Sequence, residues 1–206
     1  MEQYLDRNFS INLFYGNFIR QASMVDDENP NKYAWMVGWS DKDNQYKRFE
    51  ILTGIGIKKN DTVLDIGCGA GEFVQYCKDC KIKIDYTGID INPYYSLMAI
   101  ARYPDKTFVV SSGWDLNSAD YDWAIASGIF TLDANIIYIL WYIGFVMERL
   151  VKKGFAFNLL NNNAQEGLLG YDSGEVLTAI KERFPEYTVE LIENYLPDDF
   201  TIYVKK

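Results

Sequence analysis

Gly67, Gly69 and Gly71 alternate with other residues, and two carboxylates bracket them: Asp65 just before, and Asp90 in the next apolar run. Glycine admits φ > 0 and lets a ligand lie against the peptide plane. A helix starting behind such a turn offers that ligand unpaired N–H groups. The elements needed to position these residues are legible around them. Thr62, Val63, Leu64 and Ile66 suit a buried strand, while Phe73, Val74, Tyr76, Cys77 and Cys80 recur at helical spacing. A second strand, residues 84–90, ends in Asp90, about 20 residues beyond the glycines, where dinucleotide-binding folds hold a ribose diol. The spacing predicts a ligand with an adenosine-like ribose. The alternative is a βα turn that binds nothing.

The other chemistry-bearing types narrow the choice. The 206-residue chain has no histidine, which removes Ser-His-Asp and Cys-His catalysis, histidine-ligated metals and the usual near-neutral base. Cys77 and Cys80 form a C-x-x-C, but zinc needs two further good ligands, and only Cys68 and carboxylates remain. Both fall on the helix after the glycines and read as packing residues, so no metal site is expected. The net charge of −9, without a Lys/Arg cluster, argues against nucleic acid as a partner. No apolar run approaches the roughly 20 residues of a membrane span. Residues 1–7 lack a signal-peptide pattern, so a cytoplasmic location is expected.

Along the chain, strands are predicted at 62–66, 84–90, 106–110, 121–127, 153–160, 187–193 and 199–204. Helices are predicted at 71–80, 93–102, 133–151 and 173–183, the last capped by Asp172-Ser173. Alternation implies a parallel sheet with helices on both faces, and the terminal hairpin inserts one antiparallel strand. The helix at 133–151 is apolar on nearly every side, so it is buried in a monomer or lies in a homodimer interface. Residues 1–50 are aromatic- and amide-rich. They read as a cap, with a helix over 5–22 (Phe9, Leu13, Phe14 and Phe18 in phase) and another over 46–57, ahead of a main domain at 51–206.

Asp65-Ile-Gly67-Cys-Gly69-Ala-Gly71 resembles motif I of the class I S-adenosylmethionine-dependent methyltransferases, and Asp90 and Ala126-Ser-Gly-Ile-Phe130 continue the likeness over roughly residues 45–206. A dehydrogenase turn would want glycine at Glu72, and a P-loop would want a following Gly-Lys-Ser/Thr. The resemblance implies an α/β fold: a Rossmann-like, doubly wound, three-layer αβα domain whose seven-stranded sheet is mostly parallel, its last strand antiparallel. It also implies S-adenosyl-L-methionine as cofactor. On this reading Gly67, Cys68, Gly69 and Gly71 lie beneath the methionine part of the cofactor, Asp65 fixes the turn through backbone or water hydrogen bonds, and Asp90 takes the ribose. Ile91 faces adenine, and the segment with Gly113, Trp114 and Asp115 closes over it. Ser127 follows the fourth strand and is counted with the cofactor-binding residues. Arg48 meets the cofactor carboxylate or an acidic substrate, or else forms a surface salt bridge. Asp90→Ala should weaken cofactor binding with little change in folding stability, because the side chain is expected to be exposed in the empty protein. If Asp90 merely caps the 93–102 helix, it should lower the melting temperature instead.

Bases' amino groups are disfavoured as acceptors, because the prolines of the [DNS]-P-P-[YFW] motif are missing after Ser127. Residues 33–39, 45–48 and 195–201 also resemble small stand-alone bacterial methyltransferases of unassigned substrate. Tyr33, Trp39, Phe130, Asn158 and Tyr171 are the candidate substrate-binding residues, with core packing an equal reading for Phe130. No catalytic residue is singled out, because in-line methyl transfer depends chiefly on alignment. Without histidine, an amine, a carboxylate or an acidic oxygen suits the chemistry better than an unactivated alcohol. The expected function is methyl transfer to a small-molecule N or O acceptor. The alternatives are a catalytically idle cofactor-binding module and an enzyme acting on protein or RNA.

Overall fold

The computed structural model describes residues 2–116, 120–164 and 167–206, with the side chains of 2–7 and 9 left outside the description. Phe9 and, in the loop at 161–167, Gln165 and Glu166 therefore lie outside the described residues. The strands are β1 (Thr62–Ile66), β2 (Asp85–Asp90), β3 (Thr107–Val110), β4 (Tyr121–Ala126), β5 (Val151–Asn161), β6 (Gly170–Tyr171), β7 (Thr188–Ile192) and β8 (Asp199–Lys205). They form one sheet in the order β3-β2-β1-β4-β5-β8-β7, with β6 paired to β5. β8 runs antiparallel to both β5 and β7, and the other pairings are parallel. This is the doubly wound α/β fold that the alternation implies, with the two-residue β6 as an addition.

Consecutive strand residues feed opposite faces, as the pleat requires. Leu64, Ile66, Ala124, Ala126, Phe155 and Phe157 join one core cluster, which α6 (Ile136–Phe145) and α7 (Ser173–Arg183) cover. Val63, Trp123, Ile125, Ala156 and Tyr203 join the other, covered by α3 (Lys42–Thr53) and α4 (Glu72–Asp79). Burial on both faces explains why these strands read as nearly unbroken apolar runs.

The helices start where polar caps dictate. Asp172 accepts the Glu175 N–H, and Asn92 accepts the Tyr94 N–H ahead of α5 (Pro93–Arg102). Asp41 accepts the Asn44 N–H, so α3 begins at Lys42 and ends at Thr53, four residues earlier at each end than its apolar pattern suggests. The predicted 133–151 helix is shorter: α6 gives way to a π-helical turn, Val146–Leu150, that runs into β5. It is also not enclosed. Ile139, Tyr142 and Ile143 are buried, but Ile137 and Trp141 are 69% and 65% exposed. Ahead of the sheet lie α1 (Glu2–Ser23) and the short α2 (Lys32–Met36). Ala22 and Met36 pack with Tyr95 of α5 and Ala70 of the glycine turn, so the N-terminal helices rest on the carboxyl ends of the strands.

Candidate active site

The glycine turn takes the backbone conformation its composition anticipates. Gly67, Gly69 and Gly71 have φ of 74°, 52° and 84°, a region costly for side-chain-bearing residues. A Cβ on Gly67 would collide with Ile129, and one on Gly69 would come within 2.8 Å of Val37. The Gly67 and Cys68 N–H groups both donate to the Ile89 carbonyl, fastening the turn to β2. Gly71 caps α4 and packs against Tyr103.

Asp90 closes the next strand, and its carboxylate is already engaged: the Gly69 N–H donates to one oxygen at 2.9 Å and the Asn92 N–H to the other at 2.8 Å. It is only 8% exposed, which corrects the expectation of an exposed side chain in the empty protein. The α5 cap is Asn92, not Asp90. Burial pushes the Asp90 carboxyl up to about 6, against the two backbone hydrogen bonds. Asp65 is buried too and accepts from the Tyr86 hydroxyl at 2.9 Å. Burial is the first cause that pushes its carboxyl up to about 7, and the nearby Asp90 charge adds to it.

Both carboxylates line a cavity of about 720 Å³. Gly67, Cys68, Gly69, Ile91, Trp114 and Ser127 line it as well, as do Trp39 and Phe130 among the candidate substrate residues. Phe130 is fully buried against Phe157 and Tyr142, so it serves core and cavity wall together. Ser127 follows β4, which pairs with β1, and keeps a buried hydroxyl without a hydrogen-bond partner. Helix α1 supplies another wall: Tyr15, its hydroxyl bonded to the Thr131 side chain, is pushed up to about 12 by burial.

The other candidates act from behind the walls. Arg48 is neither on the surface nor on the cavity. Its guanidinium lies 3.8 Å from the Trp39 ring centre and forms a buried ion pair with Asp199 at 2.5 Å. Burial lowers the Arg48 pKa and raises that of Asp199 to about 6, so desolvation outweighs attraction for both partners. Trp39 in turn covers Gly128, where a Cβ would sit 2.9 Å from its ring. Asn158 accepts the Gly128 N–H at 3.0 Å, and the Tyr171 hydroxyl donates to the Phe130 carbonyl at 2.8 Å, so both brace the segment after β4. Tyr33 stacks under Arg102 instead of facing the cavity. Asp115 is exposed and accepts from Ser111, whose hydroxyl also receives the Gly113 N–H. Gly113, with φ of 90°, thus shapes the loop that presents Trp114. Sequence reasoning missed Asn12, Tyr15, Gln45, Tyr138 and Trp141 on the cavity, because only tertiary packing brings them there.

Residues 41–133, from the start of α3 through the segment after β4, match the family model described as a methyltransferase domain. The match spans the glycine turn, Asp90 and Ser127 within the strand order set out above. The turn, the strand order and this match together support a class I S-adenosylmethionine-dependent methyltransferase. The chain is 29% identical over 158 residues to "Putative methyltransferase Rv1506c" of Mycobacterium tuberculosis, covering 70% of this chain and 93% of that one. Its fold is shared with a SAM-dependent methyltransferase from Aquifex aeolicus: TM-score 0.57, 18% identity, 77% of this chain and 88% of that one. It is also shared with the mycolic acid cyclopropane synthase CmaA1 complexed with SAH and CTAB: TM-score 0.63, 10% identity, 80% and 85% covered. The residues present fit the cofactor. The chain has a cradle that a Cβ would fill, a carboxylate at the end of β2 and a buried, unpaired Ser127 hydroxyl beside the turn.

Proposed function

We propose that the enzyme methylates a small-molecule nitrogen or oxygen acceptor. The observation that carries this reading is a single cavity of about 720 Å³ that joins the glycine turn and Asp90 to an aromatic wall of Trp39, Phe130 and Tyr138. That volume suits small-molecule sites, which span roughly 300–1,000 Å³, and it must hold cofactor and acceptor together. When bound, the cofactor supplies an electrophilic methyl on a sulfonium. The protein's part is to hold the two reactants in line, so it needs no strong base.

In this reading the main chain at Gly67–Gly69 passes beneath the methionine part, and Asp90 accepts the ribose hydroxyls through its remaining lone pairs. Ile91 and Trp114 flank the adenine, and Ser127 meets the cofactor's polar end. Asp65, through Tyr86, holds β1 to β2 under the turn. Gly71, Gly113, Asp115, Arg48, Asn158, Tyr171 and Tyr33 serve by placing these residues. Space beyond the turn argues against an idle cofactor-binding module. A described lining without Lys or Arg argues against RNA, which needs a basic rim.

Calorimetry with S-adenosylhomocysteine should show micromolar binding. The labelled methyl group should then pass to the low-molecular-mass fraction of a cell extract. Binding of NAD or ATP in place of S-adenosylhomocysteine would refute the reading.

A further inference from the structure

The cavity carries an electrostatic signature that selects among acceptors. Its described lining holds three carboxylates, Asp65, Glu72 and Asp90, and no Lys or Arg. Glu72 is neutralised by Arg102, which leaves Asp65 and Asp90 without a cation among the described residues. Arg48, the cation behind Trp39, is paired to Asp199. Two further lining residues, Asn12 of α1 and Gln45 of α3, each keep a buried side-chain oxygen with no hydrogen-bond partner. Gln45 is only 3% exposed. An unpaired buried acceptor is costly, and a ligand that brings N–H donors removes the cost. Around these polar atoms the cavity is aromatic: Phe14, Tyr15, Trp39, Phe130 and Tyr138. Aromatic faces attract cations and repel anions.

Resting on the reading above, we propose that the acceptor is a compact amine with an apolar body, its N–H groups received by Asn12 and Gln45 and its body by Trp39, Phe130 and Tyr138. Carboxylate and phenolate acceptors would enter against two buried carboxylates with no compensating cation among the described residues. An unactivated alcohol would need a base that a histidine-free chain supplies poorly. An amine that arrives as its ammonium first gives one proton to water. Its freed nitrogen lone pair then forms the new N–CH₃ bond as the S–CH₃ bond breaks, the S–C pair stays on sulfur as a neutral thioether, and the methylated ammonium is the product. Burial raises the Asp65 and Asp90 carboxyls to about 7 and about 6, and an arriving ammonium opposes that rise by favouring their ionised forms.

The test is calorimetric titration of protein saturated with S-adenosylhomocysteine, using two charge-reversed pairs: 2-phenylethylamine against 3-phenylpropanoate, and butylamine against pentanoate. At least one amine should bind about tenfold or more tighter than its carboxylate partner. Asn12→Leu and Gln45→Leu should each weaken amine binding by roughly 5- to 10-fold, the usual net worth of one hydrogen bond, with S-adenosylhomocysteine affinity unchanged. Gln45→Glu, which keeps the shape and adds a negative charge, should tighten amine binding and serves if the Leu variant does not fold. Carboxylates binding as well as amines, or no amine binding to a protein that takes up S-adenosylhomocysteine, would overturn the proposal. Failure of S-adenosylhomocysteine itself to bind would overturn the underlying functional reading, and the proposal with it.

Discussion

Replacing Asp90 with alanine tests folding and ligand binding on one side chain. The carboxylate accepts the Gly69 and Asn92 N–H groups, so alanine orphans two buried donors, each costing about 1–3 kcal/mol. Against this, alanine removes a buried charge. The carboxyl is raised from 3.8 to about 6, and at 1.36 kcal/mol per pH unit that burial is worth about 3 kcal/mol. The sign follows from the direction of the shift. A raised carboxyl stabilises the fold fully below its unfolded value, and that contribution is lost as pH rises through about 6. Asp90→Ala should therefore cost roughly 2–6 kcal/mol near pH 4, and about 3 kcal/mol less near pH 7. Denaturant unfolding at both pH values reads this directly. In binding, the variant loses hydrogen bonds from the ribose to a charged acceptor, about 1.5–3 kcal/mol or roughly 10- to 150-fold in Kd for S-adenosylhomocysteine. Wild-type affinity should also fall about tenfold between pH 7 and pH 5 as Asp90 takes up its proton, a decline absent from the variant. An unchanged dissociation constant, or equal destabilisation at both pH values, would refute the reasoning.

Three further outcomes follow from the geometry. Arg48→Met or Asp199→Leu alone strands a buried charge and should cost about 3–5 kcal/mol by chemical denaturation, while the double variant recovers most of it. Additive losses would show that the pair is not coupled. Gly67→Ala, forced into φ of 74° and against Ile129, should destabilise the fold by about 1–3 kcal/mol and abolish calorimetric cofactor binding. Thiol titration of the native protein should find one fast cysteine, Cys80, which is exposed, while burial pushes Cys77 up to about 12 and Cys68 well above its ordinary value. Cys80→Ser should abolish the fast phase, and a surviving fast phase would contradict it.

The central strands were legible because they are buried on both faces, which writes them as nearly unbroken apolar runs such as Val63–Ile66 and Phe155–Leu160, interrupted only by Asp65 and Asn158. Gly67 to Gly71 and Asp90 were legible because a tight turn and a strand-end carboxylate are local features. What depends on tertiary packing was not. Arg48 meets Asp199 from the far end of the sequence, across the N-terminal edge of β8, and no local pattern marks that pair. Asn12 and Gln45 sit on unremarkable amphipathic helices and reach the cavity only because α1 and α3 are placed beside it. The one-turn α2 and two-residue β6 are too short to leave a periodicity. Helix α6 departs from full burial in a monomer: Ile137 and Trp141 stay largely exposed, with Trp141 at the cavity and against Trp114.

The central claim, methyl transfer to a compact basic acceptor, is tested most directly by incubating the enzyme and a cell extract with methyl-labelled S-adenosylmethionine and separating the products by size and then by cation exchange. Label in a low-molecular-mass, cation-retained product is the expected result. Label confined to protein or RNA, or to anionic small molecules, or left wholly in the cofactor, would contradict it.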